Sequence, residues 1–191
     1  TVTPWMHVAY GPHVGDSHQR VLMLRNFIAA GSSLLVLALY VVGWLLGVLP
    51  AQACMSGTVL VLSAIVVVHL VFRAGWNKGF SDPSLTLLQI MISVCVNSYV
   101  LYHAGEARSI YLLIYLVSFL FGIFQLTTRS LFLLAAMTMF CYGAVVFARA
   151  AIHPASVDLQ TEIVRLVVLG AVLGWFALMG GYIQGLRSNL R

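Results

Sequence analysis

Six long apolar runs, separated by short polar stretches, make up most of the chain. The first covers residues 21–49 and is broken at Pro50; the second, about residues 53–74, ends in a polar stretch from Arg73 to residue 79. The third is expected to open after Asp82-Pro83-Ser84, an N-cap followed by proline at the first helical position, and to reach about His103. A short link at residues 104–107 leads to the fourth, residues 108–126, and the turn Thr127-Thr128-Arg129 leads to the fifth, which continues to Ile152. Asp158 and Glu162 then fall in the opening turn of the sixth, where negative charge complements the helix dipole. A hydrocarbon core takes ~20 apolar residues per helix. The pattern predicts an all-α fold, a polytopic membrane protein built as a six-transmembrane-helix bundle.

Composition sharpens that picture. Hydrophobic residues make up 61% of the 191 and charged residues 8%, with a mean hydropathy of +0.99, whereas soluble domains carry ~25% charged residues. The spans consume nearly all of the chain, so no soluble catalytic domain is expected within it. The net charge of +5 contains no basic run, which excludes nucleic acid as the expected partner and favours the lipid bilayer. Arg20, Arg25, Arg73, Lys78, Arg129, Arg187 and Arg191 fall on one side of the predicted bundle, and Arg108, Arg149 and Arg165 on the other. By the positive-inside rule both termini are expected in the cytoplasm.

The ends divide accordingly. Residues 1–19 form a polar arm without Lys, Arg or an apolar h-region, so they do not read as a secretory signal. The irregular spacing of His7, His13 and His18 there favours solvated histidines over a metal site. Residues 20–186 form the membrane domain. In the tail, Ile183, Leu186 and Leu190 keep a heptad-like row, so residues 187–191 are expected to begin a cytoplasmic signalling helix. Cys54, Cys95 and Cys141 sit in three different runs with neither disulfide nor metal-ligand spacing and are expected to act as small hydrophobes.

Three stretches carry a resemblance. Phe72-Arg73-Ala74-Gly75 followed by Phe80-Ser81-Asp82-Pro83-Ser84-Leu85-Thr86-Leu87-Leu88-Gln89 resembles the link between the second and third helices of the six-helix membrane sensor modules of bacterial GGDEF diguanylate cyclases, the membrane-associated sensor type. Phe121-Gly122-Ile123-Phe124-Gln125-Leu126 and Trp175-Phe176-Ala177-Leu178-Met179-Gly180-Gly181-Tyr182-Ile183 are similar to that family's fourth and sixth helices. The resemblance covers most of the chain from about Val21. It implies the bacterial inner membrane, a homodimer, and a cytoplasmic GGDEF domain fused behind the module that makes cyclic di-GMP from two GTP molecules. The chain itself contains no GG-D/E-E-F sequence and is expected to be non-catalytic. Related modules also precede adenylate cyclases and histidine kinases.

Polar residues inside a span are costly and mark candidate sites. Gln89, Ser93 and Asn97 recur every four residues on the third run, with Tyr99, Tyr102 and His103 towards its outer end. Such a stripe either lines a ligand cavity or hydrogen-bonds between helices. His69 and His103 fall near opposite membrane faces and cannot share a haem, and no cofactor is implied. The outer side gathers His103, Glu106, Arg108, Arg149, His153, Asp158, Glu162 and Arg165 without recognised metal-ligand spacing, so ion pairing is expected there. Arg149 and Arg165 are placed to meet Glu162 or the carboxylate of an amphiphile.

The expected ligand set is Gln89, Ser93, Asn97, Tyr102, Tyr115, Arg149, Arg165 and Trp175. It is expected to bind a lipophilic small molecule, fatty-acid-like or quinone-like, among the third to sixth runs. Gly170, Gly174, Gly181 and Gly185, as two G-x-x-x-G pairs, are expected to serve helix packing or dimerisation, and Gly43 and Gly47 form another pair. A transporter would need inverted repeats or broken midplane helices, and an integral-membrane enzyme would need clustered catalytic groups. The sensor reading is therefore preferred, with a membrane anchor or a small transporter as the alternatives.

Overall fold

Six α-helices follow one another in the order of the apolar runs, with no strand among the described residues. They are α1 Ser17–Leu45, α2 Ala51–Ala74, α3 Thr86–His103, α4 Arg108–Ile123, α5 Thr128–Ile152 and α6 Leu159–Asn189. Short 3-10 turns at Trp76–Gly79 and Gly105–Ala107 fill two of the connections. The computed structural model describes residues 17–79, 84–154 and 157–189. The greater part of the expected polar arm, with His7 and His13, and the Asp82-Pro83 pair lie outside the described residues. Ser17 already belongs to α1, so the helix starts three residues before the expected arm boundary.

Four helical segments are long and apolar enough to cross a membrane: Ala51–Ala74, Thr86–His103, Thr128–Ile152 and Leu159–Leu186. The apolar parts of the other two, Ala29–Leu45 and Arg108–Ile123, are shorter. Asn26 interrupts the apolar face of α1, and α4 ends at Ile123, after which Gln125 N–H bonds the Gly122 carbonyl three residues back.

Helix ends follow local chemistry. Pro50, with φ −59°, stands immediately before α2, and Gly75 closes that helix in the left-handed conformation, φ 76°, with its N–H on the Phe72 carbonyl. Thr127 caps α5 through its hydroxyl, which accepts from Ser130 N at 3.3 Å. The start of α3 departs from expectation: the helix opens at Thr86, behind Leu85 at φ 52°. A left-handed leucine costs ~1–2 kcal/mol. Leu85 is only 3% exposed, packed with Val68 and Phe72 of α2, and burying a leucine contributes ~1.5–3 kcal/mol. The packing offsets the strain.

Helix α3 is the hub, packing on α2, α4 and α5, with lighter contact to α1; α6 packs on α5 and α4, and α1 lies mainly along α2. One end of the bundle carries the α1–α2, α3–α4 and α5–α6 connections. The opposite, two-loop end carries the other two connections, the start of α1 and the end of α6. Fully buried Tyr40, Tyr115, Tyr142, Phe119 and Leu134 form the interior. The outward faces stay apolar, with Val66, Phe140, Phe147 and Val167 exposed, as a lipid-facing surface requires.

Close helix approach depends on two glycines in particular. A Cβ on Gly57 would stand 2.9 Å from Val100 Cγ2 and 3.3 Å from the Tyr40 ring, and one on Gly43 would overlap the Tyr111 hydroxyl. Gly57→Val should therefore destabilise the fold by about 1–3 kcal/mol. Gly143→Ala, in a helical position with nothing within 4 Å, should be neutral or stabilising by up to ~1 kcal/mol. Unfolding in mixed detergent micelles distinguishes the two variants.

At the start of α6, Asp158 accepts from the Thr161 hydroxyl and from Gln160 N at 3.2 Å. The Thr161 hydrogen bond in particular holds its carboxyl below the usual range. The lowered value means that Asp158 contributes stability above the ordinary pKa, lost as pH falls through the folded one. Thr161→Val should move the Asp158 pKa upward toward the ordinary aspartate range, read by carboxyl NMR of aspartate-labelled protein.

Candidate functional site

The three-loop end is organised around one carboxylate. Glu162, in the first turn of α6, is 2% exposed. Its Oε1 meets Arg165 Nη1 at 2.7 Å and Arg108 Nη2 at 3.3 Å, and its Oε2 accepts from the Tyr142 hydroxyl. Arg108, 3% exposed at the start of α4, also donates through Nε to the Gly105 carbonyl at 2.7 Å. Helices α4, α5 and α6 are thereby tied together. Ion pairing was expected here; the Tyr142 contribution was missed, because a tyrosine inside an apolar run carries no sign of its partner. Arg149 turns elsewhere, donating to the Tyr102 carbonyl at 2.6 Å, with its guanidinium carbon 5.8 Å from that ring's centroid.

The α3 stripe is bonded between helices along its length. Asn97 accepts from the Tyr40 hydroxyl at 3.3 Å and donates to the Tyr111 carbonyl at 3.2 Å. Ser98 meets the Tyr115 hydroxyl at 2.7 Å, and Ser56 donates to the Tyr99 hydroxyl at 3.0 Å. Towards the two-loop end, Ser93 lies 3.2 Å from the Ser118 hydroxyl, and Gln89 Nε2 donates to Asn26 Oδ1 at 3.2 Å. Thr86 donates to Gln125 Oε1 at 3.1 Å.

A half-open slot with a cavity of about 70 Å³ lies beside the lower stripe, between α1, α2, α3 and α4. Asn26, Ala29, Ser33, Val36 and Tyr40 bring one face of α1 to it; Ala64 and Val68 come from α2, Gln89 and Ser93 from α3, and Ser118 and Phe121 from α4. The spacing of the α1 residues is that of a single helical face. Small side chains on α1 and α2, together with the light α1–α3 contact, leave the space open.

The expected ligand residues thus separate. Gln89 and Ser93 line the slot. Asn97 is buried just beyond it on Tyr40, and Tyr115 is buried against Ser98. Tyr102 and Arg149 pair with each other at the three-loop end, and Arg165 is engaged by Glu162. Trp175 is 60% exposed on the outer face of α6. This cavity lies among the first four helices, whereas Arg165 and Trp175 sit on α6, whose packing partners are α4 and α5. Asn26, Ser32, Ser33 and Ser118 were missed. The only signal for the α1 group was the small-residue run Ala29-Ala30-Gly31-Ser32-Ser33.

The glycines also divide. A Cβ on Gly170 would meet Met139, and one on Gly181 would meet Thr128, both on α5 within the same bundle; positions 174 and 185 face open space. The expected cysteine burial holds for Cys54, while Cys95 is exposed and Cys141 half-buried. His69 stacks near Phe27 at 5.8 Å, and His103 Nδ1 lies 3.0 Å from the Tyr99 carbonyl. Among the described residues no group of His, Cys, Asp or Glu is arranged to hold a metal ion.

Comparison with known proteins returns no match to a family model, to a curated protein or to a solved structure. What defines the protein is its architecture: an all-helical bundle with four membrane-length apolar helices, a buried carboxylate node at one end and a neutral slot towards the other.

The node makes a ranked prediction. Glu162→Gln removes the charge that Arg108 and Arg165 share and should cost about 3–5 kcal/mol. Tyr142→Phe should cost ~1.5–3 kcal/mol, as for a hydrogen bond to a charged group. Arg165→Gln, at a side chain 27% exposed, should cost ~1 kcal/mol or less. Unfolding free energies of the three variants, with a Glu162/Arg108 double-mutant cycle, check the order.

Proposed function

We propose that the chain is the membrane-embedded sensor module of a bacterial diguanylate cyclase. In this reading all six helices cross the inner membrane, both ends face the cytoplasm, and α6 couples bundle packing to paired GGDEF domains. The observation that carries the reading is α6 itself: 31 residues from Leu159 to Asn189 without a break, about 46 Å at 1.5 Å per residue. A hydrocarbon core of ~30 Å leaves several turns to project beyond it.

The contacts of α6 support a transmitting role. Near the two-loop end it is clasped by the α4–α5 turn: a Cβ at Gly180 would overlap Leu131, one at Gly181 would stand 2.6 Å from Thr128 Oγ1, and the Gln184 amide donates to the Leu126 carbonyl. At the other end Glu162 fixes it to α4 and α5. Helix α4 presents Ser118 and Phe121 to the slot and packs along α6. A ligand that binds one bundle packing better than another shifts the population only by that difference in affinity, and α4 is the element that borders both slot and output helix. The shorter apolar stretches of α1 and α4 fit the spanning role where flanking turns or local bilayer thinning make up the length.

An anchoring and dimerising role for another output, such as an adenylate cyclase or histidine kinase, is favoured by a different observation. The open face at Gly174 leaves room for a second copy.

The test is a fusion of the chain, through α6, to a GGDEF domain in cells lacking cyclic di-GMP, with one to four alanines inserted after Asn189. Transmission through a helix predicts output that rises and falls with the ~100° step per residue. Equal output from all insertions leaves the chain an anchor, and a reporter at either end found outside the inner membrane overturns the topology.

A further inference from the structure

We propose that the slot among α1–α4 binds a neutral single-chain amphiphile through a hydroxyl or carbonyl headgroup, and discriminates against an ionised carboxylate. The proposal deepens the sensor reading by naming its site and ligand class, and it rests on that reading only for the claim that occupancy is a signal.

Three observations carry it. The first is charge: the described side chains that line the slot are all uncharged. The arginines of the three-loop end are committed elsewhere, Arg108 and Arg165 to Glu162 and Arg149 to the Tyr102 carbonyl. An ionised head entering the slot would surrender its hydration without meeting a cation among those side chains, a cost of several kcal/mol for a buried ion.

The second is hydrogen-bonding chemistry. Gln89 and Asn26 face each other at 3.2 Å across the slot. Each amide carries two donor protons and a two-lone-pair acceptor, and that single bond takes one proton of Gln89 and one lone pair of Asn26. Ser93 and Ser118, 3.2 Å apart on α3 and α4, add hydroxyls that rotate to donate or accept. A group that both receives and offers hydrogen bonds without charge matches this set.

The third is shape. A volume of about 70 Å³ exceeds the ~10–15 Å³ needed for one water and admits a small head with its first carbons. The slot is half-open, and Val36, Val61, Ile65 and Val68 give it apolar walls, against which an alkyl chain lies. Lateral entry needs no aqueous path.

The experiment uses membranes containing the whole chain and two probes of equal length, a diazirine-bearing fourteen-carbon alcohol and the matching acid. Labelled positions are mapped by peptide mass spectrometry. The alcohol should label α1 and α3 saturably at both pH 9 and pH 5. The acid should label the slot at least about tenfold less at pH 9, where it is ionised, and approach the alcohol at pH 5. Ala64→Phe, which fills the slot from α2, should abolish labelling, and Ser33→Leu, which fills it from α1, provides a second variant where the first does not fold. Equal labelling by both probes at pH 9 overturns the proposal, as does labelling that survives both variants or concentrates near Arg149. Saturable labelling of the slot with no change in the output of the GGDEF fusion supports the site and overturns the sensor role.

Discussion

An amide or hydroxyl surrounded by hydrocarbon must find its partner within the protein, and that constraint sets the position of nearly every helix relative to α3. The unmet cost of such a group is larger than the ~0.6 kcal/mol that an interhelical hydrogen bond contributes on average, so these bonds specify packing more than they strengthen it. Asn97 can sit on α3 only if Tyr40 of α1 and the Tyr111 carbonyl of α4 come to it. Ser98 makes the same demand of Tyr115, Ser56 and Tyr99 make it of each other, and Gln89 requires Asn26. Dispersion between apolar faces would accept many registers; these pairs accept few.

The same constraint explains what could be read from residue order and what could not. Run lengths were legible because each helix must satisfy its backbone internally, so six apolar runs became six helices. The i, i+4 spacing of Gln89, Ser93 and Asn97 correctly placed three side chains on one face of α3. It carried no information about which neighbour that face would meet, since a polar side chain in one helix does not name its partner in another. Asn26 and Tyr142 were therefore invisible until the helices were assembled. At the start of α3 packing sets the backbone: Leu85 is left-handed and is held against Phe72 and Val68. Trp175 and Arg165 looked like ligand residues by type. Their places, outward on α6 and locked to Glu162, follow from packing that no spacing within α6 encodes.

Electrostatically the bundle is asymmetric in a way that suits a switch. Among the described residues its ionic bonds lie at the three-loop end, where Glu162 holds α4, α5 and α6 together in a low-dielectric setting. Such a node resists deformation, because moving one partner uncovers a buried charge. The slot lies towards the opposite end, where contacts between α1 and its neighbours on α3 and α4 are light and the bonds are between neutral groups.

That distinction bears on how α6 would move. Glu162 anchors its first turn, and Gly180, Gly181 and Gln184 seat its lower part against the α4–α5 turn. Translation along the helix axis would break the ionic node and expose charge. Rotation or tilt about that node leaves its charges covered and disturbs neutral interactions instead: the glycine contacts, one amide bond worth ~0.5–1.5 kcal/mol, and the apolar packing of Leu169, Leu173 and Ala177. Differential binding of a ligand by a few kcal/mol is enough to bias such a motion. A swing of the lower α6, transmitted through α4 from the slot face of Ser118 and Phe121, is the displacement that this distribution of strong and weak contacts permits.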